Sequence, residues 1–109
     1  MNPLEATIAD FITKKLGNAG QVQTCRLEPE SLELLLELKG QVNAVSITVT
    51  GLSWSLANET FTLHCTKFQS NLPWLEILAE KWLTARDYQM SWPDQLKFLP
   101  LKLKLRHRT

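Results

Sequence analysis

Glycine is scarce in this chain of 109 residues: Gly17, Gly20, Gly40 and Gly51 stand apart. A phosphate-cradling loop needs closely spaced glycines so that successive backbone N–H groups converge, and neither GxGxxG nor GxxxxGK(S/T) occurs. Cysteine is scarcer. Cys25 and Cys65 lack CxxC spacing and fit reduced thiols buried as small hydrophobes better than a disulfide framework. With two histidines, His64 and His107, no cluster supplies the three or four donors of a zinc site, so neither metal nor cofactor is assigned. No window approaches the ~18 apolar residues of a membrane span. The N-terminus, MNPLEATIADF, lacks a cationic region ahead of an apolar run. The expectation is a soluble cytoplasmic protein, and Asn58-Glu59-Thr60, although it matches the glycosylation sequon, reads as an ordinary loop tripeptide. No repeat or low-complexity segment is present.

Charge of one sign is also missing, since the net charge is +1. The balance is uneven along the chain. Residues 1–95 hold seven Lys and Arg against eleven Asp and Glu, and residues 96–109 hold five against none. The reading is a single domain over 1–109 with a mildly acidic body and a basic C-terminal strand or tail at about 96–109.

What is abundant is alternation. Leu32, Leu34, Leu36 and Leu38 are followed by Val45, Ile47 and Val49, then Leu52, Trp54 and Leu56, then Phe61, Leu63 and Cys65. Successive strand side chains point to opposite faces, so the pattern describes an antiparallel sheet with one dry and one wet face. Apolar parity changes at Gly51, either as a Thr50-Gly51 hairpin turn, the preferred reading, or as a bulge in one long strand. Residues 57–60 interrupt the pattern with loop chemistry. The wet side, with Ser46, Thr48, Thr50, Ser53, Ser55, Thr62, His64 and Thr66, is charge-poor.

Asn2, Pro3 and Glu5 read as N-cap, first helical residue and back-reaching carboxylate of a capping box. Leu4, Ile8, Phe11, Ile12 and Leu16 recur on one helical face, and Gly17-Asn18 ends the helix. A weaker strand follows over 22–27. A second helix starts after Ser70 or Asn71 as cap and runs to about residue 86. Leu72, Leu75, Leu78, Ala79, Trp82 and Leu83 share a broad face on it, with Trp74 at the edge and Ile77 outside. Tyr88, Met90 and Trp92 alternate up to Pro93. Leu101, Leu103 and Leu105 alternate with cations as an edge strand guarded by Pro100 and lysines. The fold class is therefore two-layer α+β, an antiparallel sheet of five or six strands with two amphipathic helices packed on one face. Leu4, Phe11, Leu34, Ile47, Trp54, Leu63, Leu75 and Trp82 are the expected core.

No catalytic motif emerges. His64 and Cys65 are strand neighbours on opposite faces and cannot exchange a proton directly. Asp87 and Asp94 are the carboxylates in loop settings where sites often occur. The expectation is a non-enzymatic protein-binding or self-associating module, a homodimer through the Ser/Thr face or the second helix, with Thr48, Ser55, His64, Trp74 and Ile77 as candidate surface. A small apolar, lipid-like ligand between the second helix and the sheet is the alternative, lined by Trp54, Leu56, Trp74 and Trp82, although a filled interior there is the expectation. Nucleic-acid binding by Lys97, Lys102, Lys104, Arg106 and Arg108 ranks third, because stacking aromatics other than Phe98 are missing nearby.

Overall fold

A computed structural model describes residues 1–108. In chain order the elements are α1 (Pro3–Leu16), β1 (Gly20–Leu27), β2 (Ser31–Leu38), β3 (Val45–Thr50), β4 (Ser53–Ala57), β5 (Thr60–His64), β6 (Lys67–Ser70), α2 (Pro73–Ala85), β7 (Gln89–Pro93) and α3 (Leu99–Lys104). The class is α+β with antiparallel strands. The strands form two sheets rather than one of five or six, in the orders β1-β2-β3-β6 and β4-β5-β7, and there are three α-helices among the described residues.

The capping box forms as expected. Asn2 Oδ1 accepts from the Glu5 backbone N–H at 2.8 Å, and the Glu5 carboxylate accepts from the Asn2 N–H at 3.0 Å. The second Glu5 oxygen accepts from the Leu27 N–H at 2.7 Å, tying the start of α1 to the end of β1. In the four-stranded sheet, Leu32, Leu34 and Leu36 face Val49, Ile47 and Val45 across the β2–β3 ladder, which gathers both apolar sets on one face. The β1–β2 register shifts between Val22 and Thr24, which lets even-numbered Val22 and odd-numbered Cys25 and Leu27 share that face. Ala9 packs there with Cys25, Leu34, Leu36, Val45 and Ile47, joined by Ile8 and Ile12 of α1 and Leu75 of α2.

Gly51 is neither the hairpin turn nor the bulge that the parity change suggested. β3 pairs with β2 and β6, whereas β4 pairs with β5, so Gly51 is where the chain leaves one sheet for the other. Its φ of +69° suits glycine. The junction is held from outside, by the Leu52 N–H on the Glu30 carbonyl and the Thr66 N–H on the Thr50 carbonyl, both 2.9 Å. The next reversal is the expected turn: Asn58 and Glu59 take φ of 51° and 60° between Ala57 and Thr60, a two-residue hairpin.

The C-terminal edge strand is not formed. Residues 99–104 are helical, with Pro100 in the first turn, where its missing N–H costs no hydrogen bond. Phe98, Leu101 and Leu105 also recur at helical spacing, and burial favours that period. Leu105 is buried with Leu27 and Leu52 in a second core, while Leu103 is 79% exposed. Beyond α3 the backbone runs beside β4, with the Trp54 N–H donating to the Arg106 carbonyl (2.9 Å) and the Arg108 N–H to the Trp54 carbonyl (2.7 Å). The tail thereby covers the free edge of β4. Thr109 lies outside the described residues.

Three further expectations are corrected. The cap of α2 is Leu72, without a side-chain bond. Asn71 instead accepts from the Ser46 N–H and donates to the Ala44 carbonyl, while Ser70 Oγ accepts from the Leu72 N–H. Phe11 and Trp82 are exposed rather than core. β6, unforeseen in the alternation, completes the four-stranded sheet.

Candidate interaction surface and apolar cavity

The charge-poor wet face is divided between the two sheets. Thr48 lies opposite Glu33 on one side and Gln69 on the other, and Glu33 in turn faces Arg26. Thr48 therefore has one charged and one neutral polar cross-strand neighbour. Ser55 and His64 belong to the three-stranded sheet, not to Thr48's, and they bond to each other. Trp74 and Ile77 are on the exposed side of α2. The five candidate surface residues are distributed over the four-stranded sheet, the three-stranded sheet and α2.

Ser55 Oγ and His64 Nε2 are 2.8 Å apart, and the Arg108 guanidinium lies 3.1 Å from His64 Nδ1. This resembles a nucleophile and its base, but its polarity is reversed. Arginine has donors only, so Nδ1 accepts and Nε2 carries the proton that it donates to Ser55. A general base would need Nε2 to accept from the serine, with a carboxylate on Nδ1. Burial, with a smaller contribution from the Arg108 charge, lowers the His64 pKa. The arrangement holds a neutral imidazole and does not activate Ser55. Among the described residues no three His, Cys, Asp or Glu side chains converge as metal ligands.

Of the four residues expected to line an apolar space, the structure brings only Trp82 to one. A cavity of about 220 Å³ lies between α2 and both sheets, walled by Leu63, Cys65, Phe68, Ala79, Trp82 and Leu83 among others, and no polar atom of the lining is exposed to it. Trp54 instead packs against His107 with the rings tilted by 34° and their centroids 4.2 Å apart, and donates its indole N–H to the Lys102 carbonyl at 3.1 Å. Leu56 is exposed at the end of β4 and Trp74 on α2. Burial raises the pKa of Cys65, so its thiol stays protonated against the cavity wall.

The helix wheel placed too much of α2 inside. Leu75, Ala79 and Leu83, one turn apart, form the inward stripe. Trp74, Leu78 and Trp82, also one turn apart, form a second apolar stripe that is exposed, with Ile77 beside it. Arg86 continues that stripe by stacking its guanidinium 3.9 Å from the Trp82 ring. Trp82 and Arg86 share a surface recess with Met90 and Trp92 of β7. Three of the four tryptophans are thus exposed, at 51% for Trp74, 44% for Trp82 and 40% for Trp92. The composition hinted at this through its tryptophan richness, but only the packing says which rings stay outside.

The tail cations are largely occupied. Lys102 Nζ pairs with Asp94 Oδ1 at 2.7 Å, Arg106 with Glu30 at 2.6 Å, and Arg108 faces His64. Asp87 and Asp94 do not form a carboxylate pair, because Asp94 is engaged by Lys102 and Asp87 is exposed in the turn after α2. No helix among the described residues is long and apolar enough to cross a membrane. Comparison with protein-family models, with curated proteins and with solved structures finds no match to this chain.

Proposed function

We propose that the chain is a non-enzymatic interaction module that pairs with a second copy of itself through the outer stripe of α2. The observation that carries this reading is the exposed stripe Trp74, Leu78 and Trp82 on α2, whose Trp82 end shares a recess with Arg86 and Trp92. A contiguous apolar patch on a small chain marks a contact surface, and Trp and Arg are the residues that dominate contact energy. A second copy is the occupant because the stripe is palindromic. Trp-x₃-Leu-x₃-Trp reads the same in both directions, so an antiparallel two-fold axis at Leu78 sets each Trp74 against the partner's Trp82. Residues spaced by four interdigitate in the commonest helix-packing class, and antiparallel pairing opposes the two helix dipoles. Trp74, Leu78 and Trp82 themselves carry no charge.

Sedimentation across a concentration series tests the pairing. The expected result is a dimer whose dissociation constant rises roughly 30-fold or more in Leu78→Glu, the equivalent of losing a contact of about 2 kcal/mol. Thr48→Lys, on the other surface considered, is expected to leave the dimer intact. A monomer at every accessible concentration, or a dimer broken by Thr48→Lys and not by Leu78→Glu, rejects the assignment.

A further inference from the structure

We propose that the cavity beneath α2 is a binding site for a short hydrocarbon chain, lying on the sheet side of the helix and sharing Trp82 with the pairing surface. Its lining argues for that chemistry. An ordered water needs two to four polar partners, and this space presents none. An apolar cavity of ~150 Å³ stays dry and takes up benzene. At about 220 Å³ this one is large enough for a small hydrocarbon and too small for a whole lipid or sterol.

The walls come from both sheets and α2. Leu63 and Cys65 approach from the three-stranded sheet side, Phe68 from β6, and Ala79, Trp82 and Leu83 from α2. Ala79 is what leaves room: a larger side chain at this inward position would occupy the space. Trp82, Gln89 and Met90 border both the cavity and the outer recess completed by Arg86, Ser91 and Trp92. A ligand whose chain lies inside can therefore leave a polar end at the recess, beside the Arg86 guanidinium and the Ser91 hydroxyl. The ligand class that fits is an amphiphile with one short alkyl chain.

The probe is n-octanol, whose neutral head avoids the cations of the tail. Binding to the folded state alone raises the melting temperature by mass action. For a chain of this size the expected rise is about 5 °C when free octanol is roughly tenfold above its dissociation constant. A saturable change in tryptophan fluorescence should accompany it. On a Cys25→Ala background, octanol should slow the reaction of Cys65 with N-ethylmaleimide at least about tenfold, which localises the probe to this wall. Ala79→Leu fills the space and should remove all three responses. Cys65→Met, read by the melting temperature and fluorescence, makes the same test from the opposite wall if Ala79→Leu does not fold. The responses should persist in Leu78→Glu, which separates this site from the pairing surface. No saturable response in the unsubstituted chain, or a response unchanged by filling the cavity, overturns the proposal.

Discussion

Gly51 stands where two constraints meet. Its φ of +69° is unfavourable for a side-chain-bearing residue, and a Cβ there would overlap the Thr66 side chain, whose hydroxyl donates to the Thr50 carbonyl at 3.2 Å. Gly51→Ala is therefore expected to cost about 1–3 kcal/mol, measured by urea unfolding. A loss under ~0.5 kcal/mol would mean that Thr66 moves aside freely. His64 makes a pH prediction. Its folded pKa is depressed, so the folded state binds its proton less readily than the unfolded chain does. The stability it contributes is present above the ordinary imidazole value and is lost as pH falls through the range from there to the depressed value. Protonation would also turn Nδ1 from an acceptor into a donor facing the Arg108 guanidinium. Unfolding at pH 7.5 and 5.5 should show an acid loss that His64→Gln diminishes; an identical loss in both proteins would assign it to other groups.

The helices show how much one element can carry. In α1 the Glu5 carboxylate accepts from two backbone N–H groups, of Asn2 and Leu27, and these bonds hold its pKa below the ordinary carboxylate value. Its contribution is present at neutral pH and lost as pH falls through that depressed value, so Glu5→Gln should flatten the acid limb of the stability curve. In α2 two apolar stripes of equal period do different work. Leu83→Ala, on the buried stripe, is expected to cost about 2–5 kcal/mol. Leu78→Ala should leave the stability of the monomer within about 0.5 kcal/mol while weakening the pairing. Denaturant melts in dilute solution distinguish the two, and equal losses would refute the assignment of inner and outer faces.

Across the whole molecule the three-stranded sheet depends on the tail. Phe61, fully buried, stacks on Phe98 with centroids 4.5 Å apart, and Lys102 reaches over Trp54 and Phe61 to pair with Asp94. Leu105 closes the second core against Leu27 and Leu52, which joins the tail to both β1 and the junction after Gly51. Trp54→Ala removes the indole bond to Lys102 and the ring contact with His107 together. Its expected cost, by denaturant unfolding, is about 3–5 kcal/mol. A cost below ~1 kcal/mol would mean the tail is held without Trp54.

The sequence by itself determined the features whose causes lie within a few residues of one another. The Asn2–Glu5 capping box, the reversal within residues 57–60 and the one-faced alternation of β2 and β3 are of this kind, because caps, turns and pleats are local geometry. Tertiary structure decided the rest. Gly51 becomes a passage between sheets through bonds to Glu30 and Thr66, residues that its own neighbourhood does not contain. Leu101, Leu103 and Leu105 fit a strand, and Phe98, Leu101 and Leu105 fit a helix; the second core at Leu27 and Leu52 selects the helix by burying Leu105 and leaving Leu103 outside. The candidate surface was legible only as Trp74 and Ile77, and the cavity only as Trp82. A helix with two apolar stripes carries no local mark of which one is covered, since that depends on how many sheet strands reach beneath it.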